Sequence, residues 1–228
     1  MGEPQLTLYH YWRSSCSWRV RWALLIKGVS YESRYVNLLK GEQRLPEYRA
    51  ISPAGYIPSL VIRENGQEHV FGESMALLEW IEERWPHPPL MPENSIQRLW
   101  VRQLALTVVS QIQPLQNPLV LEWFVPQSEE RERHLQHWIK RGLRICEDYL
   151  QNAPGRGGPF CLGKQLTLAD LCIVPQVYSA YRFKVDIQDL PLVSSVYHRC
   201  MELESCQRAA PEQQPDAPPT QSGSKPSA

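Results

Sequence analysis

Ser14, Ser15 and Cys16 stand in a row within Trp12-Arg13-Ser14-Ser15-Cys16-Ser17-Trp18-Arg19-Val20-Arg21. Hydroxyls, a thiol and three arginines so close together suit the making or holding of an anion, a thiolate above all. A thiol of pKa about 8.5 is only a few per cent ionised at pH 7, and making it mostly thiolate takes roughly 2.7 kcal/mol. A partly buried helix N-terminus supplies up to about 2 kcal/mol, and a hydroxyl bonded to a charged acceptor about 1.5 to 3. The stretch therefore suffices without a metal or a histidine. From the residues alone, two assignments stay open. Either Cys16 is itself the nucleophile, or a hydroxyl of Ser14 or Ser15 donates to the sulfur of a bound thiol. A purely structural reading stands beside them, with the serines as helix caps and the cysteine as a buried filler. Arg13, Arg19 and Arg21 add a local positive field suited to an anionic ligand.

The elements around this stretch must place it at a helix N-terminus. Residues 6–9 read as a strand, and Val20, Ala23, Leu24 and Lys27 mark a helix closed by Gly28. Residues 30–36 alternate as a second strand, parallel to the first across the helix. A polar segment comes next, with a short helix expected around 46–49. Pro58 stands before a strand at 59–63, and Asn65-Gly66 turns the chain into an antiparallel partner at 68–71. Glu73-Ser74 precedes Met75, Leu78 and Ile81, a helix capped by Ser74 or its neighbour. The order β-α-β then β-β-α is the thioredoxin-like pattern.

Four prolines within 85–92 make a linker. Beyond it the texture turns helical, at 95–117, 128–151, 167–181 and 192–203. Thr167-Leu168-Ala169-Asp170 is a capping box, whose first meaning is folding. From 209 onward the chain has almost nothing to bury and is expected to be disordered. The predicted organisation is an α/β thioredoxin-like domain at 1–84, a linker at 85–93, an all-α domain at 94–208 and a tail at 209–228.

Lysine plus arginine equal aspartate plus glutamate at 24 each, which argues against a nucleic-acid partner or an anionic membrane surface. No apolar run approaches a membrane span, and no secretory signal is read at the start. The six cysteines show no C-x-x-C pair and no metal-ligand spacing, so no metal site and a reduced, cytoplasmic setting are expected.

The run Ser14-Ser15-Cys16-Ser17-Trp18-Arg19-Val20-Arg21 resembles the signature of the zeta class of glutathione transferases, the family that includes maleylacetoacetate isomerase. Ile57-Pro58 resembles the family's Val-Pro, whose proline is cis and turns the preceding backbone toward glutathione. Ile112-Gln113-Pro114-Leu115-Gln116-Asn117 resembles a further zeta motif, although Pro118-Leu119 replaces the Leu-Ser or Leu-Arg that the family carries next. Residues 169–177 and 182–186 are also similar to the class. Glu73 stands where zeta members more often carry glutamine.

The resemblance implies glutathione as cofactor, a small anionic maleyl substrate and a homodimer. It implies Ser15 as the group holding the thiolate, Ser14 and Cys16 as assistants, and Arg13 and Arg182 as partners for substrate carboxylates. The cofactor-binding set it implies is Ser14, Ser15, Gln43, Ile57, Pro58, Glu73, Ser74, Gln113 and Asn117. The implied activity is cis–trans isomerisation of maleylacetoacetate or maleylpyruvate. Two rivals remain: a general transferase acting on haloacids or peroxides, and a glutathione-fold binding or regulatory protein without turnover.

Overall fold

The computed structural model describes residues 2–155 and 157–219. Its first half holds strands β1 (Gln5–His10), β2 (Glu32–Tyr35), β3 (Ser59–Glu64) and β4 (Gln67–Phe71), and helices α1 (Ser15–Ile26), α2 (Pro46–Ile51) and α3 (Ser74–Arg84). The strands form one sheet in the order β2-β1-β3-β4. β1 runs parallel to β2 and antiparallel to β3, with Leu8 opposite Ser33 and Leu60. Asn65 and Gly66 both have positive φ, 53° and 75°, which is the twist a two-residue hairpin between β3 and β4 requires. This is the thioredoxin-like arrangement, succeeded by a helical half.

α1 is the spine of the molecule. Every residue from Ser17 to Leu24 is buried, because α1 packs against the sheet and α3 on one side and reaches the helical half on the other. Trp18, Val20, Trp22 and Leu24 join a core that continues without a break into the second half.

The helical half comprises α4 (Ser95–Leu106), α5 (Pro118–Phe124), α6 (Ser128–Gln151), α7 (Leu168–Arg182), α8 (Pro191–Met201) and α9 (Glu204–Ala209). The expected single helix at 95–117 is broken in pitch. α4 passes into a π-helical turn at Thr107–Ile112 and then a 3-10 turn at Gln113–Gln116. Pro114 and Pro118 lack N–H donors, so an α-helical ladder cannot run through them. Gly142 of α6 meets the wide turn, where a Cβ would lie 2.2 Å from Ile112. α5 and α9 have no counterpart among the expected elements.

The capping box is present. Thr167 N and Oγ1 donate to Asp170 Oδ2 at 2.7 and 2.9 Å, and Cys161 N donates to Oδ1 at 2.7 Å. Lys27 ties α1 to Glu82 of α3, whose carboxylate accepts from Leu90 N and Met91 N in the proline-rich connection.

The tail expected to be disordered from 209 is an ordered segment docked on the protein as far as Ala217. Ala209, Ala210 and Pro211 are buried, and Asp216 accepts a bond from Trp12 N at 2.9 Å. Composition misled here because a few small residues and one carboxylate suffice when Arg21, Tyr178 and Trp12 supply them with bonds. The remainder of that expectation, 220–228, lies outside the described residues. Among the described residues, no helix is long and apolar enough to cross a membrane.

Candidate active site

The site begins where β1 ends. Tyr11 to Ser14 form a turn, closed by Ser14 N donating to Tyr11 O at 3.1 Å, and α1 starts at Ser15. Ser14 is the N-cap: its Oγ accepts from Ser17 N at 3.2 Å. That bond commits one serine to folding. Ser15 Oγ, half-buried in the first turn of α1, has no hydrogen-bond partner among the described residues. The two hydroxyls left open by the sequence thus differ in how free they are, and Ser15 is the uncommitted donor beside a helix N-terminus.

Cys16 is half-buried, and its Sγ accepts from Arg19 Nη1 at 3.7 Å. The same Nη1 donates to Ser74 Oγ at 3.1 Å. Arg19 is 0% exposed, and its Nε and Nη2 have no partner among the described residues. Arg21 is equally buried yet saturated: it donates to Tyr11 O, Trp12 O and Ala209 O at 2.9 to 3.2 Å. Burial lowers its pKa to about 10. Its neighbour His10 falls to about 3, first through burial and then through the Arg21 charge.

This corrects the picture of three arginines in an open positive field. Two positions along an α-helix are roughly 200° apart, so Arg19 turns toward α3 while Arg21 turns toward α9. Arg13 alone of the three faces the cavity described below.

The other expected cofactor-side residues gather from element ends. Ile57-Pro58 is a cis peptide immediately before β3. Glu73 is exposed and has φ of 60°, an uncommon backbone state for a non-glycine residue, and it precedes the buried Ser74 at the start of α3. No side chain caps that helix start. Gln43 has a buried Oε1 without a partner among the described residues.

Next to the turn opens a cavity of about 420 Å³. Arg13, Arg131 and Arg182 line it with Gln116, Leu121, Glu122 and Phe183. Its charges are mostly positive, and Glu122 is itself held by Arg44 Nη2, at 3.0 and 2.8 Å to its two oxygens. The Arg182 guanidinium lies 4.2 Å from the Phe183 ring centre. Although the residue is exposed at the rim, loss of water around the guanidinium, and then the nearby Arg13 charge, lower its pKa to about 10. A cation pressed this way gains by meeting an anion.

Sequence reasoning located Arg13 and Arg182 but missed Arg131, Gln116 and Glu122. Arg131 and Leu135, one turn apart on α6, both face the cavity. Their spacing was the available signal, obscured by Glu129, Glu130, Glu132 and Arg133 around it. Gln113 and Asn117 are not among the cavity's lining residues, which are instead Gln116 and Pro118. The pitch changes through 107–116, so α-helical spacing does not tell which positions of this segment face the cavity. Asn117 caps α5, its Oδ1 accepting from Leu119 N at 3.0 Å.

Known proteins are similar to this chain in both sequence and fold. Residues 13–84 match the family described as glutathione S-transferase, N-terminal domain. A zeta-class glutathione S-transferase from Euphorbia esula is 41% identical over 219 residues, which are 95% of this chain and 94% of that one. Among solved structures, maleylacetoacetate isomerase from Anaeromyxobacter dehalogenans 2CP-1 with bound glutathione has a TM-score of 0.86 and 41% identity, over 96% of this chain and all of the other. The same enzyme is known with dicarboxyethyl glutathione and citrate bound in its active site. A bacterial zeta-class maleylpyruvate isomerase in its holo form has a TM-score of 0.87 and 38% identity, over 93% of this chain and all of that one.

Proposed function

Because the chain belongs to the zeta-class glutathione transferase family, which includes the maleylacetoacetate isomerases, we propose that it catalyses glutathione-dependent cis–trans isomerisation of maleylacetoacetate or a close maleyl relative such as maleylpyruvate. One observation carries this reading: an uncommitted serine hydroxyl at the N-terminus of α1 follows by two residues Arg13, which with Arg131 and Arg182 lines a cavity.

The residues present fit glutathione. Gln43 has an unsatisfied buried acceptor, Arg19 has unsatisfied donors behind Cys16 and Ser74, and the start of α3 lacks a side-chain cap. Ser74 with the first N–H groups of α3 would hold the γ-glutamyl carboxylate, and Glu73 its ammonium. The main chain at Ile57, before the cis Pro58, would pair with the cysteinyl part. When bound, glutathione supplies a thiolate whose reversible addition to the double bond allows rotation from cis to trans.

The protein's own groups then have three tasks. Ser15 Oγ donates a hydrogen bond to the sulfur and, with the α1 N-terminus, favours its ionised form. Arg13, Arg131 and Arg182 hold the substrate's carboxylates, so the reacting carbon is kept near the sulfur rather than met by diffusion. Arg44 occupies the Glu122 carboxylate and limits its repulsion of an anionic ligand. Cys16, on the Arg19 side, assists without being the attacking group. The same family reading carries a cytoplasmic homodimer.

The test is the ultraviolet absorbance change of maleylacetoacetate with and without glutathione, on wild type and Ser15→Ala. Glutathione-dependent conversion to the trans isomer, with the thiol not consumed and the variant at least about tenfold slower, is expected if one charge-assisted bond is lost. Conjugation of haloacids without isomerisation would replace this reading with a general transferase. Absence of both turnover and glutathione binding would leave a non-catalytic protein.

A further inference from the structure

The turn that carries Arg13, Ser14 and Ser15 is held from a place 204 residues away in the chain. After α9, the chain passes through a 3-10 turn at Pro211–Gln213 and returns over the end of β1. Four residue pairs fasten α9 and this segment there. Trp22 Nε1 donates to Ser205 Oγ at 3.1 Å, and Arg21 donates twice to Ala209 O, from Nε at 3.2 Å and Nη2 at 2.9 Å. Tyr178 Oη donates to Glu212, and Trp12 N donates to Asp216 Oδ2 at 2.9 Å. The segment is itself stiffened, since Gln214 Nε2 bridges the carbonyls of Arg208 and Ala210.

The bonds converge on a very small target. Tyr11 O accepts from Ser14 N within the turn and from Arg21 Nη1. Trp12 O accepts from Arg21 Nη2, and Trp12 N has the Asp216 carboxylate as its partner. Arg21 reaches both the turn and Ala209, so α1, the turn and the C-terminal segment form one network. The next residue, Arg13, lines the cavity, and the next two begin α1. Asp216 is half-buried, and its Oδ1 is buried without a partner among the described residues. A carboxylate drawn out of water to take one backbone N–H is placed there by something other than surface solvation.

We propose that the segment from Ala209 to Ala217 is a strap that fixes the catalytic turn, with Asp216 as a positioning residue for Arg13, Ser14 and Ser15. The inference rests on the proposed isomerase site for its activity readout, but its geometry does not depend on it. Without the Asp216 bond, Trp12 N–H loses its acceptor, and the turn keeps its own Ser14–Tyr11 bond and the bonds from Arg21. Ser15 and Arg13 then sample orientations that no longer serve sulfur and substrate together, where small misplacements have large rate effects.

The experiment compares full-length wild type, Asp216→Ala and Asp216→Asn. Isomerase kinetics, glutathione affinity by calorimetry, thermal midpoint, and amide hydrogen exchange of the peptide spanning 11–17 are measured on each. For Asp216→Ala the proposal expects kcat/KM for the maleyl substrate to fall about tenfold, faster exchange in that peptide, and a midpoint within about 3 °C of wild type. Asp216→Asn keeps an acceptor oxygen and is expected to recover most of the rate and the protection.

Wild-type rate and protection in Asp216→Ala would overturn the proposal. So would an equal loss in Asp216→Asn, which would assign the effect to charge rather than to the bond. Should Asp216→Ala not fold, Asp216→Glu replaces it, with the acceptor displaced by one methylene and a loss of the same sign expected. If wild type does not isomerise maleyl compounds, the functional reading fails by itself, and the exchange data still decide the strap.

Discussion

The two walls of the site are built on different principles. The cofactor-side wall is made of element ends around one sheet: the starts of α1 and α3 and the backbone before β3. Its polar groups are mostly hydroxyls and main-chain donors, and its one guanidinium, Arg19, is hidden behind them. The acceptor-side wall is made of side chains from the β1–α1 turn, the 116–122 region, α6 and the end of α7. Here the guanidinium groups themselves face the cavity. On the proposed reading, the first wall would fix a ligand by fitting its backbone-like shape, and the second by charge. A wall of the first kind suits one invariant cofactor. A wall of the second kind accepts many small anions and leaves selectivity to the arrangement of a few long side chains.

Four experiments would break or sharpen that contrast. Arg182→Ala is expected to have the largest effect, because it deletes a charged partner from the acceptor wall. We expect kcat/KM for the maleyl substrate to fall by about thirtyfold, roughly 2 kcal/mol, with glutathione affinity changed less than twofold. Steady-state kinetics with each ligand varied in turn checks this, and equal losses for both would show that the walls are not separable.

Arg19→Met tests the other wall. Replacing a buried cation that has unsatisfied donors by an apolar side chain of similar length is often neutral or stabilising. The expected result is an unchanged or higher melting temperature together with about tenfold weaker glutathione binding, roughly 1.4 kcal/mol, by calorimetry. A large drop in melting temperature with normal binding would make Arg19 a folding residue.

His10 is buried beside Arg21 and provides a pH test. Its native pKa is about 3, against 6.5 as the ordinary value. Between these values the unfolded chain binds a proton that the native protein does not. Stability therefore falls as pH is lowered from about 6.5 toward 3, by about 1.4 kcal/mol per pH unit for one proton. Urea unfolding at pH 7, 6 and 5 measures the slope, and His10→Gln is expected to reduce it. An unchanged slope in the variant would place the proton uptake elsewhere.

The smallest effect is expected at the rim. Arg44 and Glu122 join the two halves through an ion pair in which both side chains are at least half exposed to solvent. Such pairs contribute about 0 to 1 kcal/mol, so Arg44→Ala is expected to change stability by less than about 0.5 kcal/mol. A modest rise in KM for the anionic substrate is expected, since Glu122 is then free to repel it. Thermal melts and substrate titrations check both.

The cofactor wall was largely legible in the sequence because helix starts, turns and hairpins are written locally. The run at Ser14, the Asn65-Gly66 turn, the proline before β3 and the Glu73-Ser74 helix start each state a backbone geometry within a few residues. The acceptor wall was not legible in the same way. Arg131 is one charge among many on α6, and only the packing of α6 against the 107–116 segment turns it toward the cavity. Gln116 and Pro118 line the cavity there, which periodicity through a segment of changing pitch does not foretell, while Gln113 and Asn117 stay expected partners of the cofactor.

By itself, then, the sequence determined the thioredoxin-like order, the helical second half and the place where a thiolate could be held, because periodicity and capping are short-range chemistry. Tertiary structure decided which residues that chemistry leaves free. It separated Ser15 from the capping Ser14, turned Arg21 from one part of an expected positive field into a brace, and gave order to part of a proline-rich segment that composition marked as disordered. The physical reason is common to all three. A polar group's role depends on which partners reach it, and partners distant in sequence become neighbours only when the core brings the elements together.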